Sequence, residues 1–157
     1  MSRLNFAILL LLISNCALGQ KEKIFLFIKE SNATLNGKWR LIKYYNLTDG
    51  TSESEPANIP HSIIIEFFDN GQKGKMKGHT VTNTVSGDYE LFNNKMKTLS
   101  FGGTKVGEPS WGNKFWNAIH TASSYERDDD TLFIFFNTDS EKMEFKKINA
   151  ISKDENN

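Results

Sequence analysis

SIIIEFFDNGQKGKMKGHTVTNTVSGDYELFNNKMKTLSF, residues 62–101, decides the fold. Ser62 to Phe68 is an apolar run rich in β-branched and aromatic side chains, closed by Asp69-Asn70-Gly71, and reads as a buried strand followed by a tight turn. Gly74 to Thr82 is the expected hairpin partner. In Val85 to Phe92, Tyr89 and Leu91 alternate with Asp88 and Glu90, Asn93-Asn94 forms another turn, and Met96 to Phe101 follows. Four short strands separated by turn signals describe a meander.

Upstream, Trp39, Leu41, Ile42 and Tyr44 interleave with Lys38, Arg40 and Lys43 from Gly37 onward, a strand with one solvated face. The polar stretch Leu47 to Pro60 reads as a loop. Downstream, Pro109 and the helical spacing of Phe115, Trp116, Ile119 and Ala122 predict one amphipathic helix near residues 110–122. Then come Ser124 to Arg127, a turn at Asp128-Asp129-Asp130, the strand Thr131 to Phe136, a turn around Asp139 and a last strand, Lys142 to Ile148. Seven or eight strands with one helix before the final hairpin are expected to close into an antiparallel barrel or strongly curled sheet, because closure removes exposed edges.

The first nineteen residues have the order of an export signal: Arg3, an apolar run from Phe6 to Ile13, then Ala17-Leu18-Gly19. Cleavage after Gly19 is expected. The apolar core falls far short of the roughly 20 residues that cross a bilayer, and Ile24 to Ile28, flanked by Lys21, Lys23, Lys29 and Glu30, reads as a strand-sized segment of structure, not a membrane span. Cys16 lies inside the signal, either removed with it or acylated as in a bacterial lipoprotein; Asn15, where a very small residue is usual, makes the lipid anchor the lesser alternative.

Cleavage leaves 18 basic against 19 acidic residues, net charge −1, in 138 residues without cysteine. That balance is no footprint for nucleic acid or anionic lipid, and stability has to come from one hydrophobic core in place of disulfides. The segments are a signal at 1–19, an N-terminal segment at 20–34, a β domain at 35–149 and a polar tail at 150–157.

No nucleophile motif such as Gly-x-Ser-x-Gly occurs, and the glycines of 71–78 and 102–103 lack phosphate-loop spacing. His61, His79 and His120 have no spacing of i, i+2 or i+4 that places two on one face, and Asp128 to Asp130 lacks the alternating ligands and central glycine of a calcium loop. The expectation is a non-enzymatic chain without cofactor or metal. The sequons at Asn32 and Asn46 carry little information in an Asn-rich chain.

The stretches Gly78 to Tyr89 and Gly103 to Phe115, with Leu35 to Leu41 and Asp130-Thr131-Leu132, resemble the META domain family, also called HslJ-like. The shared pattern is a Gly-x-Trp opening, a Gly…Asn…Gly-x-Tyr core, a Thr-Lys/Arg segment, then Glu and a helix, and a closing hairpin, over Leu35 to Lys147. The resemblance implies a lipocalin-topology barrel with one helix, an envelope or secreted location (periplasmic, outer-membrane-associated or extracellular), no established catalysis, and an association with envelope stress and secretion. Relatives carry cysteines where Thr82 and Val106-Gly107 stand here, so any thiol role is absent.

Read bottom-up, Asn83 bonds backbone at a bend, while Trp39 and Tyr89 fill core. The functional alternative places Asn83, Tyr89, Lys105 and Trp111 around one barrel mouth as a rim for a ligand or partner. Two functions follow: a monomeric binding module for another envelope component, and a lipocalin-like carrier of a small apolar ligand. Because Phe, Ile and Trp have the bulk to fill a small barrel, little free cavity is expected inside.

Overall fold

A computed structural model describes residues 34–149; the signal, Cys16, the Ile24 to Ile28 run, the Asn32 sequon and the polar tail fall outside them. The elements are β1 (Gly37–Asn46), β2 (Ser52–Ser54), β3 (Ile64–Asp69), β4 (Lys73–His79), β5 (Thr84–Phe92), β6 (Lys95–Gly103), α1 (Ser110–His120), β7 (Ala122–Arg127), β8 (Thr131–Phe136) and β9 (Glu141–Lys147). All pairings are antiparallel, and β3 to β9 follow sequence order around the sheet. The sheet closes because β1 pairs β9 on one edge (Leu41 opposite Phe145) and β3 on the other (Trp39 opposite Ile65). The result is a mostly β, closed eight-stranded barrel with one helix, as the alternation predicts.

Side-chain periodicity accounts for the closure. Trp39, Leu41, Ile65, Phe67, Val85, Tyr89, Leu132, Ile134, Met143 and Phe145 are buried on the inner face, and Arg40, Glu66 and Glu144 alternate with them on the outer one, as does Phe133 between Leu132 and Ile134. In β1 the alternation slips between Leu41 and Lys43, where the register against β9 shifts, so Tyr44 is the next buried residue and Ile42 is displaced. Turn chemistry fits the backbone: Gly71 has φ +85°, and Asn93 and Asn94 have φ +48° and +60°, the left-handed pair that a two-residue hairpin turn requires. Asn137, Thr138 and Asp139 are also left-handed. Ser123 and Ser124 hydroxyls hold that last turn by donating to the Asp139 carboxylate at 2.6 and 2.7 Å.

Three expectations need correction. The stretch Leu47 to Pro60 is not all loop: β2 pairs with the part of β1 beyond β3 (Tyr44 opposite Glu53), and its three exposed residues give no periodic signal. The strand expected over Gly74 to Thr82 ends at His79, because Thr80 N–H donates to the Asn83 carbonyl at 2.8 Å and turns the chain. On α1 the buried face is Trp111, Phe115, Ala118 and Ile119; Trp116 lies beside that face and Ala122 begins β7.

At the β3–β4 turn, Asp69 gathers the chain. Its Oδ2 accepts from Leu35 N–H (2.8 Å) and the Tyr89 hydroxyl (2.9 Å), its Oδ1 accepts from Gly71 N–H (2.8 Å), and Asn36 brackets its backbone from both sides. Trp39 Nε1–H donates to the Leu35 carbonyl at 2.9 Å, which seats the entering chain over the core. The Tyr89 ring reaches Asp69 by lying across Gly74, its partner on β4. A Cβ at Gly74 would overlap both the Tyr89 ring and Asp69.

Gly74→Ala is therefore expected to destabilise the fold by about 1–3 kcal/mol through overpacking, measured as a lowered denaturant midpoint; Gly50→Ala, where open space surrounds the site but φ is +75°, reports the backbone cost alone.

Candidate functional site

The β4–β5 turn, the segment after β6 and the start of α1 converge on Asn83. Its Nδ2 donates to the Val106 carbonyl (2.8 Å), to Glu108 Oε1 (2.7 Å) and to Thr82 Oγ1 (3.1 Å). Its Oδ1 accepts from Val106 N–H (2.7 Å) and Thr104 Oγ1 (2.9 Å). Asn83 and Thr80 are the buried polar residues among those described, and a buried amide whose donors and acceptor are all used is a staple, with no group left over for a ligand.

Glu108 completes this knot. Its Oε1 also accepts from the Thr80 hydroxyl and, at 3.4 Å, from Trp116 Nε1–H. Burial would push the carboxyl pKa up, but the hydrogen bonds from Thr80, Asn83 and Trp116 outweigh it and hold the group below the usual carboxylate range. Its Oε2 is buried without a partner, against the spot a Cβ would take on Gly112. The helix has no side-chain cap of its own, and a carboxylate beside its first turn is favoured by the peptide dipoles there. Gly112 is what lets Glu108 come that close.

The four residues expected at one mouth are not brought together. Asn83 precedes β5, whereas Tyr89 lies six residues further along it, about 20 Å at strand spacing, bonded to Asp69 at the opposite end of β4. Trp111 is buried in the barrel, edge-on to Tyr44 (centroids 4.5 Å), which donates to the Trp111 carbonyl at 3.2 Å. Lys105 alone is exposed, on the segment that Asn83 holds. Burial and the strand direction separate residues that the motif places side by side.

The open concavity lies elsewhere, on the outer face of β3 to β6. Two contiguous depressions of about 670 and 710 Å³ share Phe68, Lys75, Asp88 and Ser100, and the second also takes in Lys73 and Leu99. Phe68 and Leu99 are 45% and 51% exposed there. Leu99 faces outward because the β5–β6 register shifts between Asp88 and Tyr89, which adds a residue to β6 and puts Leu99 and Ser100 on the same side. Lys73, Lys75 and Lys77 line up along β4 and pair with Glu90, Asp88 and Glu66 at 3.4–3.6 Å, all solvent-facing. Sequence reading missed this trough because it depends on a bulge and on cross-strand neighbours.

Histidines also differ from expectation: His61 and His79, eighteen positions apart, lie with ring centroids 6.0 Å apart. Among the described residues no group of three or more His, Cys, Asp or Glu is placed to hold a metal ion, and no helix is long and apolar enough to cross a membrane.

Comparison with known proteins gives one family: the META domain model matches residues 32–149. Two solved structures share the fold. One is the NMR structure of a protein from Burkholderia xenovorans, 18% identical with a TM-score of 0.58, covering 73% of this chain and 83% of that one. The other is the crystal structure of a DUF4847 family protein from Bacteroides vulgatus, 19% identical with a TM-score of 0.54, covering 78% and 99%. Among curated proteins no sequence matches.

Asn83→Ala leaves the Val106 and Thr104 donors unpaired and is expected to cost about 1–3 kcal/mol, read from chemical denaturation. Because the folded Glu108 carboxyl sits below its ordinary 4.5, its ionisation stabilises the fold above that value and the contribution disappears as pH falls through the folded pKa. Glu108→Gln should therefore flatten the acid side of the stability–pH profile below about pH 4.5; an acid limb identical to that of the wild type would show that the carboxylate is not ionically engaged.

Proposed function

The chain belongs to the META domain family, and we propose that it is an exported, non-catalytic binding module of the cell envelope or secreted space. It acts as a monomer and meets its partner through the outer trough of β3 to β6. The observation that carries this reading is the contrast between inside and outside. Trp39, Tyr44, Phe67, Tyr89, Trp111, Phe115 and Phe145 occupy the interior with essentially no exposure, while Phe68 and Leu99 stand half in solvent over an open concavity. Exposed apolar side chains framed by polar ones are the usual mark of an interaction surface.

Export rests on the signal-like order of Arg3, the Phe6 to Ile13 run and Ala17-Leu18-Gly19. A non-catalytic role is supported by how the polar groups are used: Asn83, Thr80 and Glu108 bond to one another and to backbone, and the buried Tyr44 and Tyr89, each hydrogen-bonded within the fold, have hydroxyl pKa values pushed up, chiefly by burial. A carrier of a small apolar ligand would have to displace the rings already packed inside.

Crosslinking in the native source tests the reading. Wild-type protein should capture a discrete partner, and Phe68→Glu combined with Leu99→Glu should abolish capture with the melting midpoint unchanged. Equal capture by the double variant rules out the trough, and a stoichiometric small molecule in native mass spectrometry favours the carrier. The intact mass of the mature chain decides export and anchoring together: a start at Gln20 is expected, whereas an acylated Cys16 indicates a lipoprotein and a retained Met1 argues against export.

A further inference from the structure

We propose that His61 and His79 form a two-imidazole site for a borderline first-row divalent cation, Cu2+ in first place. The two rings come from different parts of the chain. His79 ends β4, where its backbone is paired on both sides, to Ile64 on β3 and Thr84 on β5. His61 follows Pro60 and is exposed, and it is anchored two residues later by buried Ile63, whose carbonyl accepts from Leu41 N–H at 3.0 Å. Their ring centroids lie 6.0 Å apart with planes at 76°. With metal–nitrogen bonds of about 2.0–2.1 Å, two imidazoles sharing one ion hold their centroids from about 4.5 Å (nitrogens cis) to about 6.3 Å (nitrogens trans) apart, so the pair stands within ligating separation.

The protonation of His79 is also arranged for it. Its Nδ1 lies 3.3 Å from the Thr80 carbonyl, and a carbonyl can only accept, so in the neutral ring Nδ1 carries the proton and Nε2 presents a lone pair. Thr80 is itself fixed, its N–H and hydroxyl both donating to the Asn83 carbonyl and its hydroxyl also reaching Glu108. The carbonyl that orients His79 thus belongs to the most heavily bonded turn of the barrel. The neighbouring ammonium of Lys77 is turned to Glu66 at 3.6 Å.

Two imidazoles at an open rim leave the remaining coordination positions to water. Nitrogen ligands of this kind suit Cu2+, Ni2+ and Zn2+, with Cu2+ bound most tightly, whereas Ca2+ and Mg2+ require oxygen ligands. Neither histidine lines the two depressions around Phe68, although His79 lines an adjoining one of about 470 Å³ that shares Lys77 and Ser86 with the first; the two proposals are tested at different residues, so each can fail without the other.

Titration of the full chain as purified with Cu2+ near neutral pH, followed by calorimetry and by pulsed electron paramagnetic resonance, tests it. One ion per chain with two coupled imidazole nitrogens is expected. His61→Ala, at an exposed position, should remove one nitrogen and weaken binding about tenfold or more; His79→Gln should do the same, and His120→Ala should change neither readout. A wild-type spectrum with at most one imidazole nitrogen, or an affinity unchanged in His61→Ala, overturns the proposal.

Discussion

The barrel depends on how one incomplete seam is sealed. Every other pair of neighbouring barrel strands shares at least four paired residues, but β6 and β7 meet at the single pair Lys95 and Ser124. Most of β6 would present unpaired backbone there, a liability in any sheet. Helix α1 packs against it instead. Phe101 of β6 sits edge-on to Phe115, Trp116 and His120, and the Thr98 hydroxyl donates to the Ile119 carbonyl at 2.6 Å. A helix of eleven residues is marginal alone, so its placement has to come from outside it. Asn83 and Glu108 provide that placement by fixing the segment that launches the helix.

The same dependence explains which parts of the fold were legible in the sequence. Thr131 to Phe136 reads correctly because it is a short, continuous apolar and aromatic run between turn signals, and β5 because a half-buried strand writes period two into its own residues. Asn93-Asn94 and Gly71 read correctly because left-handed backbone restricts the residue type locally. Elements that owe their existence to a neighbour did not read. Strand β2 forms only because β1 outruns β3 on that edge, and its Ser-Glu-Ser has no apolar face. The helix was found, but its buried face turned toward Trp111 and Ala118 because β6 and the barrel interior decide which side is covered, and Trp116 was drawn away by Phe101 and Glu108.

The site was less legible than the fold for a related reason. The Gly…Asn…Gly-x-Tyr pattern does mark residues with special jobs, and Asn83 and Tyr89 each anchor a polar cluster. Those clusters lie at opposite ends of β4 and hold the barrel shut. A motif in one dimension does not say whether its polar atoms face solvent or one another; only the partners do. The trough and the histidine pair depend on cross-strand neighbours and on a bulge, so residue spacing along the chain carries no trace of them.

If the trough serves the proposed binding role, magnitude constrains its occupant. Full burial of a Phe or Leu side chain is worth about 1.5–3 kcal/mol, but Phe68 and Leu99 are only half exposed, so covering both returns about 1.5–3 kcal/mol in total. Micromolar binding needs about 8 kcal/mol. A small apolar molecule resting on these two side chains would fall far short. The deficit has to be met along the rest of the concavity, where Lys75, Asp88 and Ser100 lie opposite one another across β4, β5 and β6, with Lys73 two residues along β4, and offer both signs of charge and a hydroxyl. The ion pairs Lys75–Asp88 and Lys73–Glu90 are solvent-facing and worth little, so exchanging them for a partner's groups costs little. Under the proposed binding role, the surface would suit an elongated polar protein segment with one or two apolar contacts, spanning both depressions, better than a compact hydrophobic ligand.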